Sequence, residues 1–264
     1  MAFMHIHPNI KMYYELTGQG QPLVLIAGYG CDHTYWKPIQ SKVSVHFQTL
    51  VIDNLGSGQT TDDRGELTLE QMADVIMMLI DQLQLKHPHI VGQSMGGALT
   101  QVLARSYGEK LGKIILLNTS AKIHTSPMMV LHTLMKLGKE NVSRENLLDV
   151  ALPWFFSNTY LQSPANVEKI KRNEKNNPFP QSLDNQRRQA IALGRFDSHL
   201  WLHEIKKETL VIASENDLFT TPAEQRELAK SIPEAQLMII PGGHNSVTEH
   251  PELVSQAITG FLLS

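Results

Sequence analysis

The sequence predicts an α/β fold: a mainly parallel sheet with helices on both faces, carrying a helical lid insertion. Three observations predict it. Short continuous apolar runs at residues 23–26, 47–52, 113–117 and 209–213 read as strands buried on both faces. Helix-period stretches separate most of them, and strand–helix alternation calls for parallel strands joined by helical crossovers. Between about residues 121 and 200 the strand pattern lapses and only helical stretches remain. The expected division is a core of residues 1–120 and 201–264 with a helical lid of residues 121–200.

In chain order, residues 10–16 alternate loosely and predict a strand, followed by a turn at residues 17–22. The buried run 23–26 ends in Ala27-Gly28-Tyr29-Gly30. This stretch reads either as a plain βα loop or as a place where backbone approaches a ligand. Residues 32–45 predict a helix with Pro38 in its first half, and 47–52 a strand that runs into Asp53-Asn54-Leu55-Gly56-Ser57-Gly58. Leu69, Met72, Ala73, Ile76, Leu79, Ile80 and Leu83 recur at helical spacing across residues 68–83. A strand at 88–91, a helix at 99–107 and a strand at 113–117 follow.

Within the insertion, residues 128–137, 145–152, 164–173 and 186–193 predict helices, with Pro153-Trp154-Phe155-Phe156 lying between two of them. Trp154, Phe155 and Phe156 either line a substrate pocket or fasten the lid to the body. Alternation then resumes. A strand at 209–213 ends in Ser214-Glu215-Asn216-Asp217, and a helix at 222–231 starts on a proline, a favourable first-turn residue. A strand at 236–240 leads into Pro241-Gly242-Gly243-His244, and residues 251–262 close the chain as a helix.

One stretch carries chemistry. Gly92-Gln93-Ser94-Met95-Gly96 fits G-x-S-x-G between an apolar strand and a helix, the context of a nucleophile elbow. A serine at the tip of such a turn needs small neighbours, because strand and helix pass close together. The helix aims its N-terminal N–H groups and positive dipole end at the reacting centre. The Met95 N–H is then placed to stabilise an oxyanion, and the Tyr29 N–H to supply the second donor. Without partners, the same pattern describes an ordinary βα turn with a surface serine.

Partners stand in the required order. Ser94, Asp217 and His244 run nucleophile, acid, base, the chain order of this motif class, and each follows a predicted strand. Ligand sites of open parallel sheets lie at the carboxyl ends of strands. Asp53, Asn118 and Glu215 compete with Asp217 as strand-end residues, and His250 with His244; Asp217 at its loop tip and His244 after two glycines fit better.

Composition excludes other classes. With 42% hydrophobic and 19% charged residues the chain suits a globular protein with a sizeable core. A net charge of −3 offers no basic field for nucleic acid or anionic lipid. No apolar run approaches the length that spans a bilayer. Residues 1–5 lack the basic and apolar regions of a secretory signal, and Cys31 is the sole cysteine of the 264 residues, so a cytoplasmic protein without an intrachain disulfide is expected. None of the 12 histidines sits in a metal-ligand spacing, and neither metal nor cofactor is predicted.

The elbow, the Asp217 position and Pro241-Gly242-Gly243-His244 resemble the α/β-hydrolase superfamily with a helical lid. The resemblance spans nearly the whole chain and looks closest to small esterases, enol-lactonases and cofactor-free perhydrolases. The sequence departs from the family pattern at Ala27, where histidine is usual, and at Leu55 and Thr60, where arginine and serine are usual. A serine nucleophile argues against the dehalogenases and epoxide hydrolases of this fold, which use aspartate. Asn245 argues against its carbon–carbon bond hydrolases, which often have tryptophan after the histidine. The resemblance implies a small ester or lactone as substrate. A receptor that binds a small molecule and turns it over slowly on the same fold is the alternative.

Overall fold

The structure is a computed structural model that describes residues 2–63 and 65–264. Its strands are β1 (Ala2–His7), β2 (Ile10–Thr17), β3 (Gln21–Ile26), β4 (Phe47–Ile52), β5 (Thr61–Asp62), β6 (His89–Gln93), β7 (Ile114–Leu117), β8 (Thr209–Ser214) and β9 (Gln236–Ile240). They form one sheet in the order β1-β2-β4-β3-β6-β7-β8-β9, with β5 on β2. From β4 to β9 all neighbours pair in parallel, while β2 runs antiparallel to β1, β4 and β5.

The apolar runs dictate this arrangement. Alternate residues of one strand serve opposite faces. Val24 and Ile26 enter one core layer with Ile90, Leu116 and Val211, whereas Leu23 and Leu25 enter another with Val91, Ile115 and Ile212. Helices α2 (Leu69–Gln82) and α3 (Met95–Tyr107) cover the first face; α1 (Lys37–Val43) and the C-terminal helix (Pro251–Leu263) cover the second. Helix α2 begins on a capping box, in which Thr68 accepts from the Gln71 N–H and the Gln71 side chain accepts from the Thr68 N–H.

Five helices lie between β7 and β8: α4 (Thr125–Lys139), α5 (Arg144–Phe155), α6 (Asn158–Leu161), α7 (Pro164–Lys175) and α8 (Leu183–Arg195). No strand falls in that interval among the described residues. After β8 come α9 (Pro222–Ser231), β9, α10 (Ser246–Glu249) and α11, the closing helix.

Several elements differ from expectation for physical reasons. Strand β1 went unforeseen because it is an edge strand that half-buries only alternate residues. The helix expected over 32–45 opens as a 3₁₀ turn, His33–Trp36, and turns α-helical where Pro38 can occupy its first turn. Residues 153–155 belong to α5 and not to a connection. Pro153 removes one intrahelical donor, yet the ladder resumes where the Phe156 N–H reaches the Leu152 carbonyl at 2.9 Å. No helix among the described residues is long and apolar enough to cross a membrane.

Candidate active site

Four loops at the carboxyl ends of β3, β6, β8 and β9 carry Tyr29, Ser94, Asp217 and His244 to one place. Ser94 sits between β6 and α3 at φ 54° and ψ −118°. For a residue with a Cβ this is a strained conformation of order 1–3 kcal/mol, held by its surroundings. The Ser94 N–H donates to the Leu117 carbonyl at 3.0 Å, and the Thr119 hydroxyl donates to the Ser94 carbonyl at 2.8 Å. Gly92 and Gly96 make the turn possible. A Cβ on Gly92 would collide with the Gly96 carbonyl, and one on Gly96 with the Ile26 carbonyl.

The Ser94 hydroxyl lies 2.8 Å from His244 Nε2, and His244 Nδ1 lies 2.9 Å from Asp217 Oδ2. All three residues are buried. Asp217 is held by donors from several elements. Its Oδ1 accepts the N–H groups of Phe219 and Thr220 at 2.8 and 2.9 Å. Its Oδ2 accepts the Thr220 hydroxyl at 2.9 Å, the Asn118 amide at 3.1 Å and the Gln225 amide at 3.3 Å. Phe219 and Phe155 wall the imidazole, with ring centroids 4.9 and 5.9 Å away.

Of the competing strand-end residues, Asp53 and Glu215 sit elsewhere. Asp53 accepts from the His33 N–H at 2.6 Å and meets His33 Nδ1 at 3.0 Å, so its carboxylate serves a second, separate histidine. Burial pulls the His33 pKa down, but the Asp53 hydrogen bond and the charges of Asp53, Asp32 and Glu15 outweigh it and raise the pKa above the usual value. Glu215 is exposed. Asn118 supports the Asp217 carboxylate. Besides Asp217 it donates to the Ser214 hydroxyl at 2.8 Å and accepts from the Ser246 hydroxyl at 2.6 Å.

Two backbone N–H groups are candidate donors here, that of Met95 next to the serine and that of Tyr29 on the cavity lining. The Met95 N–H opens α3, so no helix carbonyl is available to it. The Tyr29 N–H has no acceptor among the described residues. Tyr29 lies in a turn closed by the Cys31 N–H on the Gly28 carbonyl at 3.3 Å, with Gly30 at φ 74° in its third position. At Ala27 and Leu55, where the sequence departs from the family pattern, amide side chains bond the main-chain carbonyls. Asn54 donates to the Ala27 carbonyl at 3.0 Å, and Gln189 of α8 donates to the Leu55 carbonyl at 2.8 Å.

Ser94 and His244 open into a cavity of about 640 Å³. Its apolar wall comes from Leu131, Leu134, Leu147, Leu148 and Phe155 of α4 and α5; Tyr29, Cys31 and Gln181 line the side toward β3. Of the three aromatics proposed for the pocket, only Phe155 lines it. Phe156 stacks on Tyr160 at 5.4 Å, and Trp154 packs against the core. Burial, with the charges of Asp32 and Glu174, pushes the Cys31 thiol up to about 12, so it lines the cavity as an un-ionised group.

Helical segment and histidine loop are tied together. The Asn245 N–H donates to the Phe155 carbonyl at 2.8 Å, and Glu249 accepts the N–H groups of Gly243 and Ser157 at 2.9 and 3.0 Å. Sequence reasoning missed Phe219, Gln189 and Glu249. Phe219 alone left a trace, as the aromatic two residues beyond Asp217.

A strand–elbow–helix serine, an acid after β8 and a histidine after β9 on this sheet order define a class of fold. The sequence model of the alpha/beta hydrolase fold matches residues 21–251, and the chain belongs to that family. Among curated relatives, it is 29% identical to a Caulobacter sp. (strain K31) protein provisionally named carbamate hydrolase RutD, covering 95% of each chain. It is 25% identical to 3-oxoadipate enol-lactonase 2 of Acinetobacter baylyi over 96% of this chain and 94% of that one. Among solved structures, a thermophilic esterase from Thermogutta terrifontis superposes with a TM-score of 0.80 at 30% identity, covering 96% of this chain and 93% of that one.

Proposed function

We propose that the protein is a serine hydrolase that cleaves a small carboxylic ester or lactone through an acyl-enzyme. The observation that carries this reading is the hydrogen-bonded chain Ser94–His244–Asp217, with links of 2.8 and 2.9 Å, opening into the cavity. His244 Nε2 takes the Ser94 proton as the oxygen attacks the acyl carbon. Asp217 fixes the tautomer that leaves Nε2 free to accept, and it stabilises the imidazolium that forms. The N–H groups of Met95 and Tyr29 receive the developing oxyanion. Such donors are worth far more in a water-poor site than in water. His244 then protonates the leaving alkoxide, and a water, activated the same way, releases the acid.

Residues 121–200 act in this reading as a lid that selects the substrate. Leu131, Leu134, Leu147, Leu148 and Phe155 offer an apolar wall to an acyl or alcohol group. The naming of one relative for carbamate hydrolysis fits the same chemistry, since a carbamate presents an acyl carbon to the serine with a nitrogen substituent.

A fluorophosphonate probe followed by mass spectrometry tests the reading. One adduct on Ser94 is expected, together with many turnovers of p-nitrophenyl acetate per site. Folded protein that leaves Ser94 unlabelled overturns it. Labelling with a single turnover makes the chain a slow-reacting receptor. A panel of short esters, lactones and carbamates then orders the substrate classes.

A further inference from the structure

Gln189 is a fully buried glutamine in the middle of α8, a residue type that leaves water only when its amide is satisfied. Its amide group meets four partners. The carbonyl oxygen accepts from the Gly30 N–H at 3.1 Å and from the Gln181 amide at 2.8 Å. The nitrogen donates to the Leu55 carbonyl at 2.8 Å and the Ser57 hydroxyl at 2.9 Å. One side chain of the helical segment thus joins the loop after β3 to the loop after β4.

The Gly30 N–H belongs to the central peptide of the turn from Gly28 to Cys31, and the Tyr29 N–H belongs to the peptide just before it. With φ 74° at Gly30, that central peptide could flip by rotations of Tyr29 ψ and Gly30 φ, since glycine tolerates either orientation. Gln189 holds it in one. On the other flank, Asn54 holds the Ala27 carbonyl at 3.0 Å. The Gly28–Tyr29 peptide, which carries the Tyr29 N–H and whose own carbonyl accepts from the Cys31 N–H, thus lies between two peptides that amide side chains hold, one from the body and one from the helical segment.

We infer that Gln189 is a positioning residue for the oxyanion donor Tyr29, so that the helical segment acts on bond breaking as well as on substrate choice. The inference rests on the serine-hydrolase reading and departs from it in one respect: a residue remote from the substrate controls the barrier. Only a group that interacts more strongly with the transition state than with the bound substrate lowers that barrier. Loss of Gln189 should therefore reduce kcat and spare KM.

The test is Gln189→Met, which keeps length and removes every hydrogen bond, measured on the full chain with active sites counted by fluorophosphonate titration. Removing an oxyanion donor outright costs about 10²–10³ in kcat, so misdirecting one is expected to cost about 10-fold or more. The loss should be equal on short and long esters, with KM within about twofold. Affinity for a trifluoromethyl ketone, whose serine adduct carries an oxyanion, should fall by the same factor as kcat, while affinity for the product alcohol stays. Should Gln189→Met not fold, Ser57→Ala removes one partner of the Gln189 amide without touching the cavity lining, and a smaller loss with the same kcat and ketone signature is expected. A lowered melting temperature with unchanged kcat per titrated site and unchanged ketone affinity overturns the inference and leaves Gln189 a purely structural strap. Wild-type protein without turnover overturns the parent reading and this inference together, a result distinguishable because it appears before any variant is made.

Discussion

Strands β7 and β8 bury every side chain, β4 all but one and β3 its last four, whereas α5 buries Leu152 alone and α6 and α7 bury none. The two regions are stabilised differently. The sheet body is ordered by apolar burial on two faces, which is non-directional and spread over dozens of residues. The helical segment enters the core through α4 and α8, with Leu131, Ala192 and Leu193, and adds directional ties: Arg188 on Asp62 and the Gly65 carbonyl, Gln189 on two loops, and Glu249 on Ser157. Residues proposed for bond breaking stand on loops of the first region. Most of the cavity wall belongs to the second. The contrast places chemistry where side chains cannot drift and selection where they can.

The largest test of that contrast sets two buried carboxylates against each other, each facing a histidine. Asp217→Asn should lower kcat by about 10⁴, because an amide beside Nδ1 favours the wrong tautomer. The melting temperature should fall too, because an amide nitrogen would meet donors that Asp217 now accepts. Asp53→Asn should separate the two effects, leaving kcat per titrated site within a few-fold while lowering stability by about 1–3 kcal/mol through the bonds lost around His33. Thermal melts and steady-state kinetics on both variants decide it. If the kinetic loss falls on Asp53→Asn, the acid has been misplaced.

A smaller effect separates wall from packing within the helical segment. Phe155→Ala should shift preference between short and long acyl chains by about 1–3 kcal/mol per methylene-sized mismatch. Trp154→Ala, whose ring lies outside the cavity lining, should change stability and not preference. The measurement is kcat/KM over an ester series. A preference shift from Trp154→Ala equal to that from Phe155→Ala would extend the pocket to the far side of α5.

The smallest effect is a pH dependence of the body. The His33 pKa is raised above 6.5 in the folded state, so folding binds His33 more tightly to its proton. The stability this contributes is fully present below pH 6.5 and is lost as pH rises through the raised value. Urea midpoints measured across that window should fall with pH for the wild type, and the fall should flatten in His33→Gln. An equal slope in both proteins would remove His33 as its source.

The legible features of the sequence were those with a local signature. Apolar runs marked β3, β4, β7 and β8, helical spacing marked α2, and short loop motifs after strands marked Ser94, Asp217 and His244. Features that depend on residues far apart in the chain left no such mark. Asn118 reads as one more strand-end residue until β8 brings Asp217 beside it. Gln189 reads as a polar position on an amphipathic helix, and its burial exists only once the loops after β3 and β4 close over it. Pro153 suggested a break that α5 absorbs within its last turn. Trp154, Phe155 and Phe156 are adjacent in sequence and therefore point in three directions around a helix end, so composition could name the cluster but not the one ring that reaches the cavity.

The tight crossing at Gly92 and Gly96 has a consequence for how such a protein can diverge. A Cβ at either position runs into backbone carbonyl oxygen, which has no rotamer to retreat into. Neither position has a neutral neighbour in sequence space, and no second substitution nearby can relieve the clash without moving β3 or α3 as a whole. Leu134, Leu147 and Leu148 are different: they line the cavity half-buried, on helices that bury few side chains of their own, and each has room to change size. Drift is thereby channelled. A lineage carrying this turn can wander across substrates one wall residue at a time, while the geometry around its serine is inherited unchanged.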